Sequence, residues 1–497
     1  MSRTIAGSRM EFEFLSTKPQ PRRLREGDAP FRILLMGDLG GAARGLPSRA
    51  VPVDVDNLDK VIASLDVQVR LPVGDGSDMV IPIRSIDGFH SDQLYRSLPV
   101  FQALANLRQR LSSPGTFHEA AAQVRALTGM AAPPATPQPA APAESDAQTL
   151  ERLLGRPTRE ATGGGSPPDL GAMLNDIVKP HIVPGEHAGQ AELIALVEQA
   201  IAAQMRAILH HPRFQAIEAA WRGTQFAVSR TQTDETLKLY LVDAPRRELE
   251  NDLMAADDLQ ATAMYKLLVE QSTGVPGAQP WALLVGDYRF GSTDEDVGLL
   301  ARLGLIAQAA GAPLVAGACD QLVGCESVGL TPDPSDWNGR INEDLWNHLR
   351  GFAAASSIGL VFPRFLLRLP YGKQTEPTDV PGFEEVSERF GHEQYLWGNG
   401  AMAVAVCLAG AFRTEGWEFS GGGEAEIADL PLHWFNAGGE KQVKPCAEAW
   451  LTERAAARIH ERGLMPLLSI RGRDAALLAG IHSIATDGAG LAGRWGH

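Results

Sequence analysis

The chain has 497 residues, 44 % of them hydrophobic and 21 % charged, which is the make-up of a folded protein too long for one typical domain. Its net charge of −15 argues against a general nucleic-acid binder. Cys319, Cys325, Cys407 and Cys446 form no CxxC pair and read as free thiols of a reducing cytosol, not as a disulfide framework or a zinc site. No window approaches the apolar length of a membrane helix, and MSRTIAGSRMEFEF lacks the apolar core of a secretory signal. The expectation is a cytoplasmic protein without membrane insertion.

In chain order, Arg9–Leu15 alternates apolar and polar residues. Met10, Phe12 and Phe14 share one face and Glu11 and Glu13 the other, the pattern of a half-buried strand. A polar, proline-containing stretch follows it, so this strand has free edges and invites pairing with a neighbouring chain. Phe31–Met36 reads as a second strand and ends in Gly37-Asp38-Leu39-Gly40-Gly41. Such a loop can cradle phosphate, but it carries no lysine and no GxxxxGK[ST] spacing, which favours a plain turn. Val53–Asp59 holds three Asp and an Asn; it lacks the Gly and Glu of a calcium loop, and Asp56-Asn57 reads better as the cap of a helix beginning at Leu58. Val67–Leu71 and Met79–Pro82 are expected strands around Gly74-Asp75-Gly76, and Leu94–Leu111 an amphipathic helix.

Residues 131–168 change composition to a Pro/Ala/Gly-rich linker with room for one short helix at Ala147–Leu154. Beyond it, Leu170, Met173, Leu174 and Ile177 fall on one face of a short helix. That face either packs on its own domain or serves as a helix-in-groove ligand. Gln190–Leu209 is strongly amphipathic. Lys238–Val242, Trp281–Gly286, Pro313–Ala318 and Ser357–Phe362 read as strands, with helices at Arg247–Asp258 and Asp294–Ala310 between them. Adjacent His210 and His211 point apart on a helix and do not chelate one metal. Asp474–Ile481 is read as helical. The fold class is α/β (α+β), with mixed sheets flanked by helices.

The segment Val361–Gly372, VFPRFLLRLPYG, stands out. Pro363 ends the strand before it, because proline has no N–H for the ladder. Pro370-Tyr371-Gly372 closes the segment with turn chemistry. Arg364 and Arg368 lie among apolar neighbours, and a buried guanidinium needs a carboxylate or carbonyl partner. The segment offers no nucleophile, base or metal-ligand set, so it reads as a structural clasp and not as a catalytic loop.

HPRFQAIEAAWRG, LLVGDYRF, LARLGLIAQAAGAPLVAGA, VFPRFLLRLPYG, FEEV, HEQYLWGNGAMAVA and GLMPL, in this order, resemble the large contractile-sheath subunit of type VI secretion (TssC/VipB). RMEFEF, PFRILLMGDLGG, VPVDVDNLDKVI and LANLRQRL resemble the small subunit (TssB/VipA). The resemblance implies a natural fusion, with a small-subunit domain over 1–130, the linker over 131–168 and a large-subunit domain over 169–497. It implies self-association into a helical sheath around inner-tube (Hcp-type) rings, attachment to a baseplate, and residence in the bacterial cytoplasm. It makes Met10–Phe14 the strand exchanged between subunits, and Leu170, Met173, Leu174 and Ile177 the helix recognised by a AAA+ unfoldase of ClpV type. The family's large subunit continues past the position of Gly463–Leu467 with lattice-forming strands, so the resemblance also implies a shortened C-terminus. Three functions follow, in falling order of support: a non-catalytic sheath subunit without cofactor or metal, a non-polymerising sheath-like accessory or cap, and a metal- or phosphate-binding enzyme using Asp54–Asp59 or Gly37–Gly41.

Overall fold

A computed structural model describes residues 29–41, 45–72, 78–128, 189–273, 278–386 and 391–495. Its strands in chain order are β1 (Phe31–Gly37), β2 (Val51–Val53), β3 (Gln68–Pro72), β4 (Asp78–Pro82), β5 (Leu237–Asp243), β6 (Leu283–Phe290), β7 (Leu314–Ala318), β8 (Ile358–Phe362), β9 (Phe365–Leu366), β10 (Trp397–Gly398), β11 (Ala425–Ile427), β12 (His433–Ala437), β13 (Glu440–Lys444), β14 (Leu464–Ser469) and β15 (Ala476–Leu478). Nine of them form one sheet in the order β11-β15-β14-β8-β7-β6-β1-β5-β2. The run from β5 to β14 is parallel; β2 at one edge and β15 and β11 at the other are antiparallel. Continuous apolar strands such as LVAGA and IGLVF, buried along their whole length, belong in such a parallel centre covered on both faces.

The central position of β1 is the main structural fact. It comes from before residue 131, yet it pairs with β5 over Phe31–Gly37 and with β6 over Ile33–Met36. Its alternation divides the two cores. Phe31, Ile33 and Leu35 face a layer containing helices Pro99–Ser112, Gln190–Leu209, Pro212–Arg230 and Gly400–Glu415. Leu34 and Met36 face a layer containing Arg246–Met254 and Asp294–Ala310. Residues before 131 and after 168 therefore share one sheet and both of its cores. Side-chain bonds add to this: Trp221 Nε1 donates to the Leu39 carbonyl at 2.8 Å, Gln190 Nε2 to the Leu111 carbonyl at 2.7 Å, and Arg108 meets Glu198 at 2.7 Å.

Some sequence expectations are corrected. The helix read over Leu94–Leu111 is two helices, Ser91–Ser97 and Pro99–Ser112, because Pro99 forces Leu98 into an extended conformation (φ −81°, ψ 130°). Asn57 occupies the cap position of the helix Leu58–Ser64 without capping it by its side chain. Its Oδ1 instead accepts from Asp54 N–H, while Asp54 Oδ1 accepts from the N–H groups of Asp56 and Asn57. The helical reading of Asp474–Ile481 is also wrong: Ala476–Leu478 is a strand that pairs antiparallel with β14. A short apolar run fits either structure, and the tight turn through Gly472 (φ +74°) returns the chain alongside β14.

Candidate functional site

The segment after β8 carries the densest group of buried charges in the described structure. The strand stops at Phe362; Pro363 follows it, and the Phe362–Pro363 peptide is cis. The chain then runs through β9, which pairs with β10, to the Pro370-Tyr371-Gly372 turn. Gly372 lies so close to Glu384 that an added Cβ would fall 2.1 Å from its carboxylate. Around this path stand two ionic knots, one on each arginine.

In the first knot, Arg364 Nε donates to Glu448 Oε1 at 3.0 Å and its backbone N–H to Glu448 Oε2 at 2.9 Å. Its Nη atoms take both oxygens of Glu393 at 3.1 and 3.0 Å. Glu448 is fully buried, and it sits at φ +53° with Ala449 N–H donating back to the Ala447 carbonyl, a γ-turn that non-glycine residues rarely adopt. His392 Nε2 lies 2.9 Å from Glu448 Oε1, and Lys444 Nζ lies 2.7 Å from His392 Nδ1. An ammonium only donates, so Nδ1 accepts and Nε2 carries the proton given to Glu448. The His392 ring stacks on Trp397 at 4.9 Å. Burial alone would raise the Glu448 pKa, but the bonds and charges of His392 and Arg364 hold it well below the usual range. Burial lowers Lys444 to about 8, against the opposing pull of Glu448 and Glu393.

In the second knot, Arg368 lies between two carboxylates. Its Nε donates to Glu218 Oε1 at 2.8 Å, and its Nη1 and Nη2 to Glu385 at 2.7 and 3.0 Å. Glu218 comes from helix Pro212–Arg230 and shares Oε1 with Arg222 at 2.7 Å. Tyr371 N–H donates to Glu385 at 2.7 Å, the Arg368 guanidinium stands 4.2 Å from the Tyr371 ring centroid, and Arg222 donates to the Tyr371 hydroxyl at 3.1 Å. Burial pushes the Tyr371 hydroxyl up to about 12. Burial would also raise Glu385, but the Arg368 charge and bonds from His210, Arg368 and Tyr371 N–H hold it at about 2. The knot reaches residues before 131 as well: the His90 ring meets Tyr371 edge-on at 4.7 Å, and Asp379 N–H donates to Asp92 at 2.8 Å.

Chemically, these knots hold charge in place. No nucleophile faces a base in either. His392, Glu393 and Glu448 have ligand atoms within 4.8 Å of one another, a metal-like spacing, but the Arg364 guanidinium and Lys444 already supply the positive charge there. The Gly37–Gly41 loop does not present free amides to a phosphate: Leu39 and Gly41 N–H donate to the Asp243 carboxylate at 2.9 and 3.1 Å. The four cysteines are free. Met10, Glu11, Phe12, Glu13 and Phe14, and likewise Leu170, Met173, Leu174 and Ile177, lie outside the described residues.

Sequence reasoning named the arginines but not their partners. Glu385 and Glu393 lie in the FEEV and HEQYLW motifs, and Glu218 in HPRFQAIEAAWRG, where the signal was a carboxylate within an otherwise apolar helix face. Glu448 and Lys444 had no sequence signal.

Residues 191–485 match the VipB family, described as EvpB/VC_A0108, tail sheath N-terminal domain. The chain belongs to the type VI secretion sheath family. Residues 21–125 match a second family, described as type VI secretion system, VipA, VC_A0107 or Hcp2, so one polypeptide carries both the small-subunit and the large-subunit parts. The segment Val361–Gly372, both knots and strands β5 to β15 lie within the VipB match, and β1 to β4 within the VipA match. The type VI secretion system sheath protein TssC1 of Pseudomonas aeruginosa is 33 % identical over 324 residues, covering 61 % of this chain and 64 % of that protein.

Proposed function

We propose that this chain is a structural, non-catalytic subunit of the type VI secretion contractile sheath, with its two sheath parts, 1–130 and 169–497, joined by the segment 131–168. The observation that carries this reading is the seating of the VipA-type strand β1 between β5 and β6 of the VipB-type part. In this reading the chain is a ready-made small–large pair that stacks into a helix around an inner tube of Hcp-type rings in the bacterial cytoplasm. It docks on a baseplate and releases the energy of an extended lattice by repacking, which drives effector injection. Met10–Phe14 is the strand that adds to a neighbour's sheet edge. The helix carrying Leu170, Met173, Leu174 and Ile177 is the handle for a ClpV-type unfoldase. Pro363, Arg364, Arg368, Pro370, Tyr371 and Gly372 form the clasp that keeps each subunit rigid while the lattice repacks.

Negative-stain microscopy of the purified chain, with and without an inner-tube protein, tests the proposal. Long hollow tubes are expected. Discrete particles under every condition would favour a non-polymerising accessory of the same machine.

A further inference from the structure

A cavity of about 170 Å³ opens beside the start of β1, lined by Arg32, Arg49, Tyr240, Gln271, Ser272 and Trp281. That is far above the ~10–15 Å³ one water needs. Arg32 follows the alternation of β1 onto the face of Leu34 and Met36, where a hydrophobic residue would be the usual occupant. Its guanidinium carbon stands 4.0 Å from the Trp281 ring centroid and 4.5 Å from that of Tyr240. One Nη donates to the Gln279 carbonyl, yet Nε is buried with no acceptor. Trp281 Nε1 is likewise buried without an acceptor. Among the described residues, neither Arg32 nor the exposed Arg49 has a carboxylate partner, in a chain whose net charge is −15. The arginines of the two knots, Arg222, Arg364 and Arg368, are paired with carboxylates.

We infer that this cavity is a receptor for an oxyanion, a carboxylate or phosphate group held by Arg32, Arg49 and Trp281 Nε1. Two buried donors without acceptors and two guanidinium groups around one cavity are a donor set that an anion completes and a neutral apolar group does not. The aromatic walls fix the Arg32 plane, so its free edge is pre-set for a planar carboxylate or two phosphate oxygens. The same chemistry has two sources: a small free anion, or an acidic side chain of a second copy of this chain.

The test uses the full chain with calorimetric titration of inorganic phosphate and, separately, succinate, followed by sedimentation with and without phosphate. Arg49→Ala removes an exposed guanidinium and leaves the core untouched; Trp281→Phe keeps the ring and removes its N–H. Saturable binding of either probe, weakened about tenfold or more by each variant, supports the receptor with a small anion as occupant. No uptake of the probes, but self-association that both variants weaken to a similar degree, supports it with a neighbouring carboxylate as occupant. Wild type and both variants that behave alike in both measurements would overturn it, and would mean that water alone satisfies the donors.

Discussion

Arg368 and Arg364 stand four residues apart on one segment, yet their knots differ in how much water each meets. Arg368 is sealed between Glu218 and Glu385, whose side chains are nearly inaccessible. Arg364 shares the buried Glu448 with His392, and its second carboxylate, Glu393, is 65 % exposed. A charge left without its partner inside the protein stays desolvated, whereas one left at the surface is taken up by water. Rigidity therefore concentrates at Arg368, and adjustability at Arg364.

The largest effect should come from Arg368→Ala. It strands two buried carboxylates with only Arg222 and His210 nearby and should cost about 3–5 kcal/mol in urea unfolding. An equal loss for Arg364→Ala would erase the contrast. We expect about 2 kcal/mol there, because only one buried carboxylate, Glu448, is stranded, and Glu393 is exposed.

Acid separates the knots next. Glu385 is held at about 2 against an ordinary 4.5, so the unfolded chain takes up its proton first as pH falls. Its contribution is full above pH 4.5 and disappears between there and about pH 2, on the order of 3 kcal/mol. In the Arg368→Ala variant that acid dependence should flatten, as read from urea midpoints across this range.

Raising the pH acts on the other knot, with the same sign of slope. Lys444 is lowered to about 8 from 10.5, so between these values the unfolded chain binds the extra proton and stability should rise with pH. The gain is on the order of 1 kcal/mol once partial exposure is discounted. Lys444→Met should abolish this rise and leave the acid limb unchanged. The smallest change belongs to Glu393→Ala: an exposed carboxylate should cost less than about 1 kcal/mol, and a larger loss would show that Glu393, not Glu448, holds Arg364.

The contrast also marks what a sequence carries. Apolar flanks made Arg364 and Arg368 visible as charges in need of partners, because that demand is local. Of their partners, Glu448 and Glu218 come from 84 and 150 residues away, and such pairings depend on which elements become neighbours. Strands β6, β7 and β8 were readable as short apolar runs, and Pro363 as the end of β8. Pro99 was an equally plain local signal, yet it was passed over inside an otherwise regular apolar spacing. The strand at Ala476–Leu478 was misread because three apolar residues have no period, and only the neighbouring β14 decides their conformation. Phe31–Met36 reads as a strand, but nothing in it says that β1 enters a sheet in which every other strand except β2 lies beyond residue 168.

The central claim, that the two sheath parts are one folding unit built around β1, is tested most directly by cutting the chain. A specific protease site placed within 131–168 would leave every described contact intact. The account predicts that the cleaved protein elutes as one particle at micromolar concentration and unfolds in a single transition, because removing β1 would expose the edges of both β5 and β6. Fragments that separate on the column, with the larger retaining the melting temperature of the uncut chain, would contradict it.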